Sequence, residues 1–424
     1  ATSMFGDRVV DATIRGGRGL FLGRIPRVWY GNAYSRSGGL TDYNRFRSYS
    51  DVIGPMPASS TADPHFFWLG PTSNYEVRSA WYGDAQGTDP SFEAPSSWRT
   101  NIALDLLTTK GYDFTVEYNR DQINEGVFYQ DLGITQTGTL ADGRGTYTGA
   151  GDFWLSNTEL GDTEAITFIM KKEWNDVKFM TAYTNMDASD VYALTSAQAE
   201  SAYGYQQRWD GENMSANRSS FMVEHKFLAT LDYTTQLLGD NDTRFSLVFV
   251  RKAGEPYSVV FDEPGYNSVT GNSRFYADYS LAYIPTGASD PNVSFTSAAV
   301  ATAVMAHVNS TGLSGYKGSH VPKNAFNSPW YSRLDLRITQ DIKVFGDTKL
   351  VVFLDMLNLL NMIDDEKGIV REYSYNNSRQ IIVDGVTSTG QFIISGVDPD
   401  DSLYIQNNDG QSAWNINLGF KYQF

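Results

Sequence analysis

Apolar and polar residues alternate along much of this chain with a period of two. The clearest run is the last one. From Trp414 to Phe424 every second residue is large and apolar: Trp414, Ile416, Leu418, Phe420, Tyr422 and Phe424. Asn415, Asn417, Gly419, Lys421 and Gln423 lie between them. Such alternation puts one set of side chains on each face of an extended strand. The run of about ten residues is the length one tilted strand needs to cross a bilayer. The same pattern runs through residues 98–106, 112–118, 166–170, 177–183, 221–233, 245–249, 334–338 and 350–356, with an opening strand predicted over 8–22. Ten strands result, an even number as in bacterial single-chain barrels.

The connections between these strands are lopsided. Those at residues 108–111, 173–176, 238–242 and 345–348 are four or five residues long and contain Gly, Asn or Asp, the composition of tight hairpin turns. Those at 23–97, 131–152, 187–217, 253–329 and 358–411 are far longer. Short turns at one end and long loops at the other is the arrangement of outer-membrane barrels, with the long loops outside the cell. Within the long connections, 368–375 and 380–386 read as a hairpin and 294–308 as a short helix. No linker marks a second globular domain. The expectation is an all-β, transmembrane antiparallel β-barrel segment over residues 1–424.

Composition agrees with that pattern. Aromatic residues make up 14% of the 424 residues, with 26 Tyr, 24 Phe and 38 Gly. Mean hydropathy is −0.36, and no stretch approaches the roughly 18–20 apolar residues of a spanning helix. Alternating strands keep a membrane barrel polar on average. The net charge of −16 argues against a nucleic-acid partner, which needs clustered Lys and Arg. The absence of Cys removes thiol catalysis, zinc–thiolate sites and disulfides. Residues 1–4 carry no charged n-region or apolar h-region. The expectation is that a signal peptide was removed or that the chain starts partway through a longer protein.

Candidate chemistry is sparse. The four histidines, His65, His225, His307 and His320, form no HExxH-type spacing, and no nucleophile motif accompanies one. An enzyme is not expected. The run Arg15-Gly16-Gly17-Arg18-Gly19 lacks the Gly-Lys-Ser/Thr ending of a phosphate loop. Its glycines instead suit close approach to the sheet, with Arg15 and Arg18 in a wet lumen or at its rim. Arg333, Asp335, Arg337 and Asp355 alternate with apolar residues and join Arg15 as lumen-facing candidates. They are expected to pair with one another or with whatever fills the lumen, because an unpaired buried charge is costly. The run Asp398-Pro399-Asp400-Asp401 offers oxygens of the kind Ca²⁺ prefers. It lacks EF-type spacing and reads as a solvated loop. No cofactor is expected.

Several segments resemble a known family. They are Ile14–Gly23 (IRGGRGLFLG), Ile25-Pro26, Asn32-Ala33-Tyr34-Ser35, Pro95-Ser96-Ser97-Trp98-Arg99, Asn327-Ser328-Pro329-Trp330, Arg333-Leu334-Asp335-Leu336-Arg337 and FLDMLNLLN at 353–361. In this order they resemble the barrel of Oar-like TonB-dependent outer-membrane transporters. The ending, an aromatic at Tyr422 and a terminal Phe424 with Trp414 and Phe420 on the same face, resembles the recognition signal of the barrel assembly machinery.

The resemblance implies a barrel of about 22 strands, occluded by an N-terminal plug and energised through TonB. Ten strands are about half of that wall, so the chain is expected to be its C-terminal part. The plug and the other barrel half would be partners, TonB would act through that plug, and outer-membrane lipid and lipopolysaccharide would surround the wall. The implied activity is active transport of a bulky substrate, a peptide, protein or glycan, captured by long loops that other surface proteins also contact. Two alternatives stay open: a small passive pore, and a surface anchoring or adhesion barrel.

Overall fold

The structure, a computed structural model, describes residues 8–29, 31, 85–149, 151–191, 194, 196, 198–211, 215–263, 269–270, 279–346, 348–398, 404–405 and 411–424. Residues 32–35, His65, most of 23–97 and residues 399–401 of the acidic run lie outside that set. Ten long strands form the continuous path of a 13-stranded main sheet, and Ala85–Thr88, Asp152–Thr158 and Asn217–Arg218 pair alongside that path. The ten begin with β1 (Val9–Leu22), β2 (Ser96–Thr108), β3 (Tyr112–Asp131), β4 (Asp162–Glu173) and β5 (Val177–Asp190). They continue as β6 (His225–Leu238), β7 (Asn241–Lys252), β8 (Tyr331–Phe345), β9 (Thr348–Leu357) and β10 (Asn415–Gln423). Each pairs antiparallel with the next in chain order. All ten strands expected from the alternation are present. Several run beyond the alternating stretches, the third as far as Asp131 and the fifth to Asp190, whereas the sixth starts late, at His225, because residues 219–222 fold as a turn in which Met222 N–H donates to Ser219 O.

The turns at one end span residues 109–111, 174–176, 239–240 and 346–347. Gly111, Gly239 and Gly346 have φ of +72°, +61° and +55°, a left-handed conformation that side chains disfavour and hairpin turns need. The other ends join through 23–95, 132–161, 191–224, 253–330 and 358–414. The lopsidedness read from the sequence is therefore a property of the fold.

Register sorts the side chains into two faces. Leu104 lies between Ile14 and Val116, Leu247 between Leu231 and Leu336, and Leu354 between Ile338 and Leu418. This face is apolar from β1 to β10, and none of the described residues covers it: Ile14, Leu418 and Phe420 are 79%, 76% and 77% exposed. The opposite face is mixed and largely polar. There Phe353 fills the space over Gly419, where a Cβ would overlap its ring, and the Arg337 guanidinium lies 4.7 Å above that ring.

The hydrophobic cores lie away from that face, in the long connections and the loop-end extension of β3. Pro256–Asp262, Val293–Phe295, Phe326–Asn327, Asn377–Val386 and Phe392–Val397 form a five-stranded mixed sheet. Val259, Phe261, Ile284, Val304, Ile381 and Phe392 are fully buried in its core, and Leu140 joins them from the connection 132–161. Each such side chain contributes about 1.5–3 kcal/mol by leaving water. A second core unites Tyr129, Phe153, Leu155 and Tyr203, with Phe92 packed against it from the first long connection. The connections thus interlock as one cap.

Two expectations inside the cap need correction. The helix is α2 (Ala298–Ser310), not 294–308, and follows α1 (Ala199–Gly204) in the chain. Residues 293–295 are a strand, and the Ser297 side chain caps the helix by accepting from Val300 N–H. The hairpin is Asn377–Val386 with Phe392–Val397, not 368–375 with 380–386. Tyr375 and Asn376, both left-handed (φ 53° and 58°), break the extended run, and Gly390 (φ 82°) completes the turn that closes the pair.

The Phe353–Gly419 contact generates a test. Gly419→Val is expected to push the ring aside, cost about 1–3 kcal/mol and lower the urea midpoint for unfolding of the main sheet. An unchanged midpoint contradicts this packing.

Candidate functional site

The strand period brings all five lumen candidates to the polar face. Arg15 on β1 donates through Nε to Asp105 Oδ2 (2.9 Å) and through Nη2 to Glu117 Oε2 (3.1 Å). Thr115 Oγ1 donates to Asp105 (2.6 Å), and Asn101 Nδ2 to Glu117 and Asn119 (2.9 and 2.7 Å). Three strands are stitched by one network. The other four candidates pair among themselves on β8 and β9: Arg333 with Asp335 and Arg337 with Asp355, each at 2.7 Å. Asp341 on the same face takes Arg244 and Lys349 (3.1 and 2.8 Å). The structure does not unite Arg15 with the β8–β9 group; its partners come from β2 and β3. Paired charges of this kind hydrate a surface and fix its electrostatics. They supply no nucleophile and base held for attack.

Arg18, three residues after Arg15, has the opposite parity. It lies on the apolar face at the loop end, 5.1 Å over the Trp98 ring, not beside Arg15. Trp414, Phe420, Tyr422 and Phe424 share that apolar face along β10, and Phe424 is 99% exposed.

The cap holds polar groups that the sequence reading did not single out. A turn at Asp142-Gly143 carries Arg144 into the cap core. Its guanidinium is fully buried, ion-paired with Asp142 (2.8 Å), bonded to Leu281 O (2.9 Å) and 4.9 Å over the Phe392 ring. His320 stacks on Trp209 with ring centroids 5.2 Å apart. Burial first, and then the charge of Arg144, holds the His320 imidazole below its ordinary range. Tyr147 donates a short hydrogen bond to Asp210.

One ion pair ties cap to sheet. Lys323 Nζ, buried in the connection 253–330, lies 3.8 Å from Asp190 Oδ1 at the end of β5. That is too long for a hydrogen bond, and neither atom has another hydrogen-bond partner. Burial pulls the Lys323 ammonium below the usual lysine range, against the pull of Asp190. Two charges desolvated this way hold together weakly but cannot be separated cheaply.

The sequence signal for these groups was faint. The Asp-Gly turn at 142–143 is legible, but no local pattern says where its tip docks. Asp398, the one described residue of the acidic run, donates its backbone N–H to Gln380 O.

Two outcomes are expected. Asp190→Asn strands the Lys323 charge and costs about 3–5 kcal/mol of cap stability, and adding Lys323→Met restores it. Hydrogen exchange of cap amides reads both; equal exchange in the single mutant and the parent contradicts the pairing. For His320, depressed in the folded state, the unfolded chain takes up a proton first as pH falls. Its contribution is complete above about pH 6.5 and fades below it. Cap protection factors, taken relative to intrinsic amide exchange at each pH, should therefore fall as pH drops below about 6.5, less so in His320→Phe, which keeps the stacking and removes the titration.

In comparison with known proteins, no family model and no curated protein matches this chain, so its functional reading stands on the geometry of the sheet and the cap.

Proposed function

We propose that this chain is part of the wall, together with the extracellular cap, of a TonB-dependent active transporter in the bacterial outer membrane that takes up a bulky peptide, protein or glycan. One observation carries the reading: the main sheet exposes its whole apolar face while the connections at one end bury complete cores of their own. An exposed apolar surface of that extent marks a membrane or partner interface. Ten residue steps separate Trp414 from Phe424 on that face. At about 3.3 Å per residue and a barrel-like tilt near 40°, they span roughly 25 Å, the height of a lipid-facing band. Aromatic residues mark both ends of the face: Trp98, Trp330 and Trp414 at the loop end, and Tyr112, Trp174 and Phe424 at the turn end.

The polar face, with its internal pairs, then lines the lumen, and the cap stands outside the cell. Among the described residues β1 pairs only with β2 and β10 only with β9. This favours a wall continued by further strands over a complete ten-stranded pore. A plug and the rest of the wall would come from another segment or chain and would link to TonB. The terminal Phe424 would be read by the barrel assembly machinery, and lipopolysaccharide would contact the outer rim.

Two measurements test this. In lipid vesicles, Leu247→Arg on the apolar face should cost about 2–4 kcal/mol of folding stability. Val248→Arg, one residue on and facing the lumen, should cost far less; equal costs contradict the membrane orientation. In cells, uptake of fluorescent oligopeptides or oligosaccharides that depends on this protein should stop with a protonophore. Continued uptake contradicts active transport and favours a passive pore.

A further inference from the structure

We propose that the loop end of β5, with the ring stack beside it, binds the phosphorylated sugar headgroup of an outer-leaflet glycolipid. This rests on the membrane orientation given above. A groove of about 510 Å³ opens there, within the size range of small-ligand sites. Asn185, Asp187, Arg218, Glu224 and Asn327 line it together with the buried Met222. Amide, carboxylate and guanidinium groups of this kind match the paired donors and acceptors of sugar hydroxyls. Several are already fixed in place. Arg218 Nη2 bonds Glu224 (2.5 Å), Asn327 Nδ2 donates to Glu224 (2.9 Å), and Asn185 Nδ2 donates to Glu224 O (3.1 Å).

His225 joins the groove to an aromatic surface. Its ring lies near Asn185 (3.2 Å) and Glu224 (3.6 Å), bonds Tyr183 OH through Nδ1 (2.9 Å), and stacks on Trp330 at 5.8 Å and 7°. Trp330 is 43% exposed and offers a ring face to the apolar side of a sugar. Arg251 lies 5.3 Å over the same ring. It is exposed and makes no ion pair among the described residues, unlike Arg120, which takes Asp162 and Glu164 on the same face. A cation held flat over an indole at the boundary of an apolar band suits a phosphate. Below it on the apolar face lie Phe227, Phe249 and Leu334, where acyl chains would run. Sugar, phosphate and hydrocarbon requirements meet in that order along one strip of the sheet. Arg18 over Trp98 repeats the cation–ring pair on β1, outside the lining of this groove, which makes it a control.

The test is native mass spectrometry of the protein extracted from its outer membrane, with three probes added in turn. These are a diphosphorylated disaccharide lipid, phosphatidylglycerol, and the same phosphorylated disaccharide without acyl chains. The first should be retained at one copy per protein. Arg251→Gln or Asp187→Leu should lower that retention roughly tenfold or more, the size of a lost charge-assisted hydrogen bond, while Arg18→Gln leaves it unchanged. Equal retention of phosphatidylglycerol, equal binding of the acyl-free sugar, or no retention at all overturns the proposal. The same samples are run folded and heat-denatured. A heat-modifiable, detergent-dependent protein that retains no glycolipid overturns this inference alone; a protein soluble without detergent overturns the membrane orientation with it.

Discussion

Covering the apolar face of the main sheet is the constraint on which the rest of the structure depends. Ten strands present large side chains on one side, and among the described residues no second layer packs there. In water such a face drives aggregation; in hydrocarbon it is the required solution. Hydrocarbon imposes a second demand, because every backbone N–H and C=O within it must find a partner in protein. Antiparallel pairing meets that demand between β1 and β10. The two outermost edges remain, and a wall set in lipid must close over them.

The other features follow from placing this sheet between two aqueous sides. Turns of two or three residues keep one end compact. At the other end the chain spends its length on a cap with its own buried cores, and those cores are built jointly. Leu140 and Arg144 come from one connection, Val259 and Phe261 from another, Ile381 and Phe392 from a third. A cap interlocked in this way moves as a unit more readily than loop by loop. The loose Lys323–Asp190 pair is one place where it grips the sheet. On the polar face the Arg15–Asp105–Glu117 network and the β8–β9 pairs neutralise charge locally. A bulky polar solute or an inserted plug would meet a hydrated surface with little net field.

Much of this was legible in the sequence because it is local. Period two over 414–424 and its counterparts gives each strand and its face, and the parity of Arg15, Arg333, Asp335, Arg337 and Asp355 gives their common side. Glycines at 111, 239 and 346 mark the tight turns. Arg18 was misassigned by the same rule: three positions from Arg15 it must face the other way. The cap was not legible, because its cores join residues more than a hundred positions apart. Leu140 reads as a loop leucine until Ile284 and Phe392 surround it. The misplaced hairpin has a similar cause, since left-handed Tyr375 and Asn376 are held by Gln207, which bonds Tyr375 O (3.0 Å) from 168 positions away, and by Pro256 O. The groove at β5 likewise draws Asn185, Arg218 and Asn327 from three separate stretches.

The central claim is that this sheet is part of a larger closed wall, and intact mass with peptide mapping of the folded species tests it most directly. The protein would be extracted from its native outer membrane without denaturation, and its heat-modifiable form isolated. The account requires further polypeptide in that form, either a longer chain or a second one, carrying additional strands and a plug. A folded, heat-modifiable species containing residues 1–424 and nothing more would contradict it, because β1 and β10 would then have to close on each other.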